Sequence, residues 1–480
     1  DAMCMRVQPL ATRRDMLKKA MLGFGSIAMT DLLVRNSFGG ATAAGLLAPR
    51  TPLIAPRASR VIYIFLDGGL SQVDSYDYKP RLQQDDGKPL PASIHKPKFT
   101  FAATGELLKS PFNWKQWGRS GAWASDLFPH VNELIDDLCL IKSLHHDNED
   151  HFTAKNMVFT GSGREVAPQL GSWLVYGLGT MNQDLPGFIE IMPGIPRSSP
   201  SAFLPARFGG AAIGRPDERA RDRQWDNIGS AASGERERLS FIEKLNHRHE
   251  QQAGHDGALD AEIQSMELAF RMQTEAPDIM SLDGESDATL KLYGVGEPAT
   301  DDFGRACLLA RRFAERGVRY ITLMHSTRAF GNLWDQHKDL YEGHKGNALA
   351  VDVPIAGLLR DLKVRGMLDD TLVMCGSEFG RTPMFEYQNG GEGRLRNGRD
   401  HNPHGFTMWF AGGGVKRGSS FGATDDYGYY AVQDPVSIHD LHATILYLMG
   451  IDHTKLTYRH AGRDYRLTDV YGELVKQIVA

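Results

Sequence analysis

Seventeen histidines are spread through this 480-residue chain, and many stand in short polar runs shared with carboxylates. Five such runs carry candidate ligands. The first is Asp67 with Ser71 and Asp74, and the second is His145-His146-Asp147-Asn148-Glu149-Asp150-His151. The third is His325 with Asp335-Gln336-His337, the fourth Ser377-Glu378-Phe379-Gly380-Arg381, and the fifth Asp400-His401-Asn402-Pro403-His404. Imidazole is the commonest protein metal ligand. Hard divalent cations favour carboxylate oxygens, while zinc and manganese accept mixed His/Asp shells. Two metals ~3.5–4 Å apart need roughly six such donors drawn from several strands, and these runs supply that many. Any one of the histidines alone reads as a hydrogen-bonded loop residue. Their recurrence just after predicted strands is what points to a metal site.

The elements that must position these runs are short apolar strands. Residues 60–66 (RVIYIFL) form a β-branched and aromatic run that ends in Asp67-Gly68-Gly69, a buried strand feeding a loop. Residues 317–324, 371–376 and 406–411 carry the same signal, and helical periodicity appears at 127–137, 261–273, 302–316, 351–365 and 439–449. The alternation predicts an α/β fold with a mainly parallel central sheet and helices on both faces. Polar residues close the strands at Asp67, His325 and Glu378. In open α/β sheets ligands bind beyond the carboxyl ends of the strands, so the chemistry is expected there.

Composition removes other classes of function. With 54 basic and 59 acidic side chains the net charge is −5, which argues against a nucleic-acid or polybasic membrane surface. Four cysteines without a C-x-x-C pair exclude a disulfide scaffold and a cysteine zinc module. At the amino end, Arg13-Arg14 precede an apolar stretch from Ala20 to Met29 and a small-residue region at 39–44. This is the anatomy of an export signal, and the paired arginines resemble a twin-arginine signal. The expectation is a signal region over 1–43, cleaved near Ala43, on a protein exported to the periplasm or surface of a bacterium. Asp31 and Arg35 keep the stretch from spanning a membrane. Residues 44–58, with three prolines, read as a linker to a single domain at 59–480. Within it 196–257 reads as a polar insertion, in which Arg215, Arg219, Arg221 and Arg223 alternate with acids as a solvated face.

Several of these runs together resemble the DUF1501 family, placed in the alkaline-phosphatase-like superfamily with the sulfatases. The resemblance covers nearly the whole chain after residue 58. It is carried by residues 65–74 (FLDGGLSQVD), 334–337 (WDQH), 376–383 (GSEFGRTP), 398–401 (GRDH), 412–416 (GGGVK) and 438–446 (IHDLHATIL). It implies metal-assisted transfer of a phosphoryl or sulfuryl group. Carried over by position, Asp67 matches the first metal-binding aspartate. Asp335 and His337 resemble later ligands, although the spacing is D-x-H rather than D-x-x-x-H. His401, or His404 three residues on, resembles the final histidine ligand, and Glu378 the first member of a late Asp-His pair.

Two departures qualify what the resemblance implies. Active relatives open a helix with a hydroxyl or formylglycine nucleophile about nine residues before a Thr-Gly pair; here His151 stands at that distance from Thr160-Gly161. Phe379 stands where the Asp-His pair supplies its histidine, and phenylalanine ligates nothing. His151 therefore reads either as a metal ligand replacing the lost imidazole or as a nucleophile. No C/S-x-P-x-R motif precedes Thr160-Gly161, which excludes formylglycine chemistry.

The leading expectation is an exported hydrolase of phosphate or sulfate esters, sulfated or phosphorylated glycans included, with one or two divalent ions (Zn, Mn or Ca). Asp67, His151, Asp335, His337, Glu378, His401 and His404 form the ligand set, and His146 and Arg381 orient the ester oxygens. Arg381 reads equally as a structural partner of Glu378. The competing expectation is a non-catalytic binding or structural protein with one metal or none. His439 and His442 read as packing or capping residues, and His344 as a group behind the ligands.

Overall fold

A computed structural model describes residues 47–94, 104–192, 200–214, 278–326, 333–387 and 397–480, together with residue 241. The chain divides into two compact units, residues 1–46 with 231–267 and residues 47–230 with 268–480. Apart from residue 241, all described residues belong to the second. The signal region, most of the insertion and the helix expected at 261–273 lie outside the described residues.

The strands of the central sheet are β1 (Arg60–Leu66), β3 (Leu138–His145), β4 (Phe188–Ile191), β5 (Ala211–Ile213), β6 (Tyr320–His325), β7 (Thr371–Gly376), β10 (Phe406–Ala411), β11 (Ser419–Phe421) and β12 (Val436–Ser437). A side sheet is built from β2 (Thr104–Leu107), β8 (Gly380–Glu386) and β9 (Arg399–Asn402). The central order is β11-β3-β10-β7-β1-β6-β4-β5, with β12 also on β3. β1 lies parallel to β6 and to β7 at its centre, whereas β10 runs antiparallel to both its neighbours. The sheet is therefore mainly parallel, with one reversed strand.

Alternation along β1 explains the layering. Ile62, Ile64 and Leu66 enter the apolar cluster with α3 (Asp301–Glu315) and α4 (Leu340–Val364). Val61, Tyr63 and Phe65 point the other way, into the cluster with α2 (Leu170–Leu178) and α5 (Ile438–Leu448), against which α1 (His151–Thr160) lies. Successive side chains of a strand face opposite sides, so Asp67 follows Phe65 toward the α1 side.

Of the expected linker, the described residues 47–58 hold no helix or strand, yet they are pinned down. Arg50 N–H donates to Leu178 O at 2.9 Å and Ala58 N–H to Leu448 O at 3.0 Å. The helix expected at 351–365 begins earlier, at Leu340, and carries Pro354 inside it. The pattern at 127–137 breaks into two short turns, Pro129–Asn132 and Ile135–Asp137. Among the described residues no helix is long and apolar enough to cross a membrane.

Candidate metal centre

The loops after β1, β6 and β7 meet the start of α1. Asp67 leaves β1 through Gly68 and Gly69, at φ of 122° and 93°. A Cβ on Gly69 would stand 2.8 Å from the Phe379 ring and 3.0 Å from Arg381 Nε, so only glycine fits this turn. Trp334 N–H donates to Asp67 O at 3.0 Å, which draws the neighbouring Asp335 over the end of β1. On the far side, Asp150 caps α1 by accepting from Thr153 N at 3.0 Å, placing His151 in its first turn. The other end of α1 is held by α5: His442 and His439 donate to Val158 O at 2.8 Å and Gly161 O at 2.9 Å. Of the two roles expected for these histidines, packing or capping, the bonds show capping.

Four of the expected ligands converge. His151 Nε2 lies 3.1 Å from Asp335 Oδ2, while His337 Nε2 and His401 Nε2 lie 2.8 and 3.3 Å from Oδ1. One donor atom from each of His151, Asp335, His337 and His401 falls within 4.8 Å of all the others. Each ring is held from behind through Nδ1: His151 by Glu378 Oε1 at 2.6 Å, His337 by Glu386 Oε2, His401 by Glu149 O at 2.7 Å. Metal-ligating histidines characteristically make such an outer bond, which fixes tautomer and ring orientation. A further group of His337, Glu386 and Asp400 adjoins the first through His337.

Electrostatics follow from these partners. Burial raises the Asp335 carboxyl, but hydrogen bonds from the three histidines and the Arg381 charge outweigh it and hold the group far below the usual carboxylate range. Burial also opposes charge on His337, yet its bonds to Asp335 and Glu386 lift it to about 9. His401 bonds the same Asp335, but burial, aided by the Arg381 and His151 charges, prevails and brings it to about 4. His151, between Asp335 and Glu378, is raised despite its burial.

Asp67 and Glu378 come to the edge of this cluster, both fully buried. Asp67 receives Ser326 Oγ–H at 2.6 Å and pairs with the Lys155 ammonium. Burial and the Glu378 charge push the Asp67 carboxyl up to about 6, with Lys155 and Ser326 opposing. Glu378 Oε2 accepts from Gly68 N at 3.0 Å and Ser377 Oγ at 2.9 Å. Its carboxyl falls well below the usual range because the bonds and charges of His151 and Lys155 overcome burial. Phe379 fills the space beside them with hydrocarbon, its ring 4.3 Å from His401 and 4.9 Å from His151.

Other expected site residues take different positions. Arg381 is fully buried and pairs with Asp335 at 2.6 Å rather than with Glu378. It also donates to the carbonyls of Gly68, Gly69, Trp334 and Arg399. His146 accepts from Asn148 N at 3.1 Å and bonds Glu378 O at 2.6 Å, so the backbone occupies both nitrogens, and burial lowers it to about 4. His404 is not brought to the cluster; it stacks on Tyr430 at 5.3 Å with Glu149 4.0 Å away. Asp74 faces inward to Arg399 at 2.8 Å. His344 accepts from Ser71 N at 3.1 Å, behind the Gly68-Gly69 turn, and His325 accepts from Trp334 Nε1 at 3.1 Å. Sequence reasoning missed Lys155 and Glu386. Lys155 had a readable signal, one helical turn after His151 and hence on the same face; Glu386 reaches the site only by the pairing of β8 with β9.

With this geometry in place, residues 58–479 match the family described as Protein of unknown function (DUF1501). The chain belongs to the DUF1501 family. No curated protein matches the sequence of this DUF1501 chain. Solved structures similar to it include Ps i-CgsB in complex with k-i-k-neocarrahexaose, 11% identical over 82% of this chain and 72% of that one, with TM-score 0.38. They also include the PsFucS1 sulfatase from Pseudoalteromonas sp., 12% identical over 82% and 68%, with TM-score 0.35. A third is the phosphonate monoester hydrolase of Agrobacterium radiobacter, 13% identical over 82% and 74%, with TM-score 0.30.

Proposed function

We propose that this DUF1501 protein is an exported metal-dependent hydrolase of phosphate or sulfate esters, with a divalent ion held by His151, Asp335, His337 and His401. The observation that carries the reading is the paired orientation of the three rings: each aims Nε2 at one carboxylate and gives Nδ1 to an oxygen. Histidine and carboxylate donors together suit zinc or manganese. In this reading His151 is a ligand, since both nitrogens already face carboxylates and neither is directed at an ester. The donors keep 7–28% of their side chains exposed, at the carboxyl ends of the strands, where a substrate can reach them.

A bound ion would polarise an ester oxygen and lower the pKa of a water ligand. The chain's own residues supply the rest. Arg381 and the Glu378, Glu386 and Glu149 acceptors hold Asp335 and the rings in place. Lys155 and Asp67 set the charge beside the site. Phe379 keeps water from its inner wall.

The number of protein donors favours a second reading, a binding or structural protein, because four protein ligands close a structural zinc shell whereas catalytic sites leave a position open. One experiment serves both. Protein loaded with Zn, Mn or Ca is assayed on phosphomonoesters, phosphodiesters, sulfate esters and sulfated or phosphorylated glycans, with Asp335→Ala as the blank. Metal-dependent turnover absent from the blank supports the hydrolase. A bound ion with rates equal to the blank on every substrate removes it in favour of the second reading.

A further inference from the structure

We propose that the Lys155 ammonium is the resident cation of the Asp67–Glu378 half of the site, so that the centre takes one divalent ion rather than two. The proposal rests on the metal-centre reading above and deepens it. Two carboxylates from neighbouring strand ends are fully buried there, an arrangement that needs a compensating positive charge. Residues four apart on a helix share a face, so α1 delivers Lys155 together with His151. Lys155 pairs with Asp67 Oδ1 while Ser326 bonds Oδ2 at 2.6 Å. His151, Ser377 and the Gly68 amide all bond Glu378.

The donor count points the same way. An ion seated between Asp67 and Glu378 would find those two carboxylates and, at residue 379, a phenyl ring that is fully buried and ligates nothing. The His151 nitrogen on this side already bonds Glu378. An ammonium needs no ordered shell of ligands and brings its charge on a stem that the helix anchors. A catalytic zinc keeps three protein ligands, so an ion held by these two carboxylates alone would be bound weakly, and here the lysine stands in its place.

The test is a count of metal ions. Wild-type protein, Lys155→Ala and Lys155→Ala/Phe379→His are loaded with Zn or Mn, desalted, and read by elemental analysis, with circular dichroism to verify the fold. The expected result is one ion per wild-type chain and a second in Lys155→Ala, bound about tenfold more tightly in the double variant, which adds an imidazole donor. Lys155→Met keeps the buried stem and replaces the alanine variant should that not fold. Two ions on wild-type protein, or a single ion on the folded lysine variants, overturns the proposal and leaves the metal centre standing. An ion-free wild type overturns the metal centre as well, so the two failures are distinguishable.

Discussion

On one side of the His151 ring, Asp67 and Glu378 are fully buried, and Lys155, Ser326, Ser377 and a backbone amide take up their oxygens. On the other side Asp335 keeps about a fifth of its side chain exposed and collects three imidazoles and Arg381. Both halves gather negative charge at the ends of parallel strands. The first is met by the ammonium of Lys155, a side chain that α1 brings in. The second is bordered by groups that can exchange protons for a metal ion. Carboxylates at the end of a strand are therefore not enough to mark a metal site; what else reaches them decides.

The largest test removes the shared carboxylate of the open half. Asp335→Ala should lose the ion altogether in elemental analysis, and turnover should fall by more than the ~100-fold that loss of an outer partner can cost. Equal metal content would show the histidines to be a packed cluster. Glu386→Gln should be milder, weakening metal binding about 10–100-fold by calorimetry, because His337 keeps its position but loses the carboxylate behind it. Asp67→Asn should leave the affinity of that ion within about threefold, a much smaller effect than the loss of an outer partner; a loss as large as that of Glu386→Gln would erase the distinction between the halves.

The pH response of metal-free protein sharpens the comparison. His337 is held at about 9, above its unfolded value, so its stabilising contribution is complete below about pH 6.5 and is lost as the pH rises toward 9. Urea unfolding should show stability falling through that interval by up to ~1.4 kcal/mol per pH unit. Metal loading should remove the slope, because a ligating imidazole is already neutral. A His337→Gln variant that retains the slope would assign it to another group. The smallest effect is expected outside both halves. His439→Ala removes one bond to the end of α1 and should cost about 0.5–1.5 kcal/mol in thermal unfolding, with the metal count unchanged.

Much of this was legible because local chemistry signals strands and helices strongly. β1, β7 and β10 fall at 60–66, 371–376 and 406–411 as their β-branched and aromatic runs predict, and α3 and α5 within a residue of their periodicity. The run at 138–145, LCLIKSLH, is also a strand, but its hydrophobicity follows directly on the apolar pattern at 127–137 and its boundary was lost there. Nor does alternation encode direction: the reversal of β10 is set by its neighbours.

The sequence by itself determined the family, the α/β architecture, the polar strand ends, and a candidate ligand set of Asp67, His151, Asp335, His337, Glu378, His401 and His404. Each of these rests on residue type and spacing over short stretches. Only the tertiary structure decided how the ligands divide. It seats Lys155 on Asp67, sets Arg381 on Asp335 rather than Glu378, and turns His404 toward Tyr430. The reason is physical. A side chain's ability to ligate is local chemistry, but whether its oxygen is already taken depends on groups that arrive from 46 to 88 residues away or more, and no local pattern records their arrival.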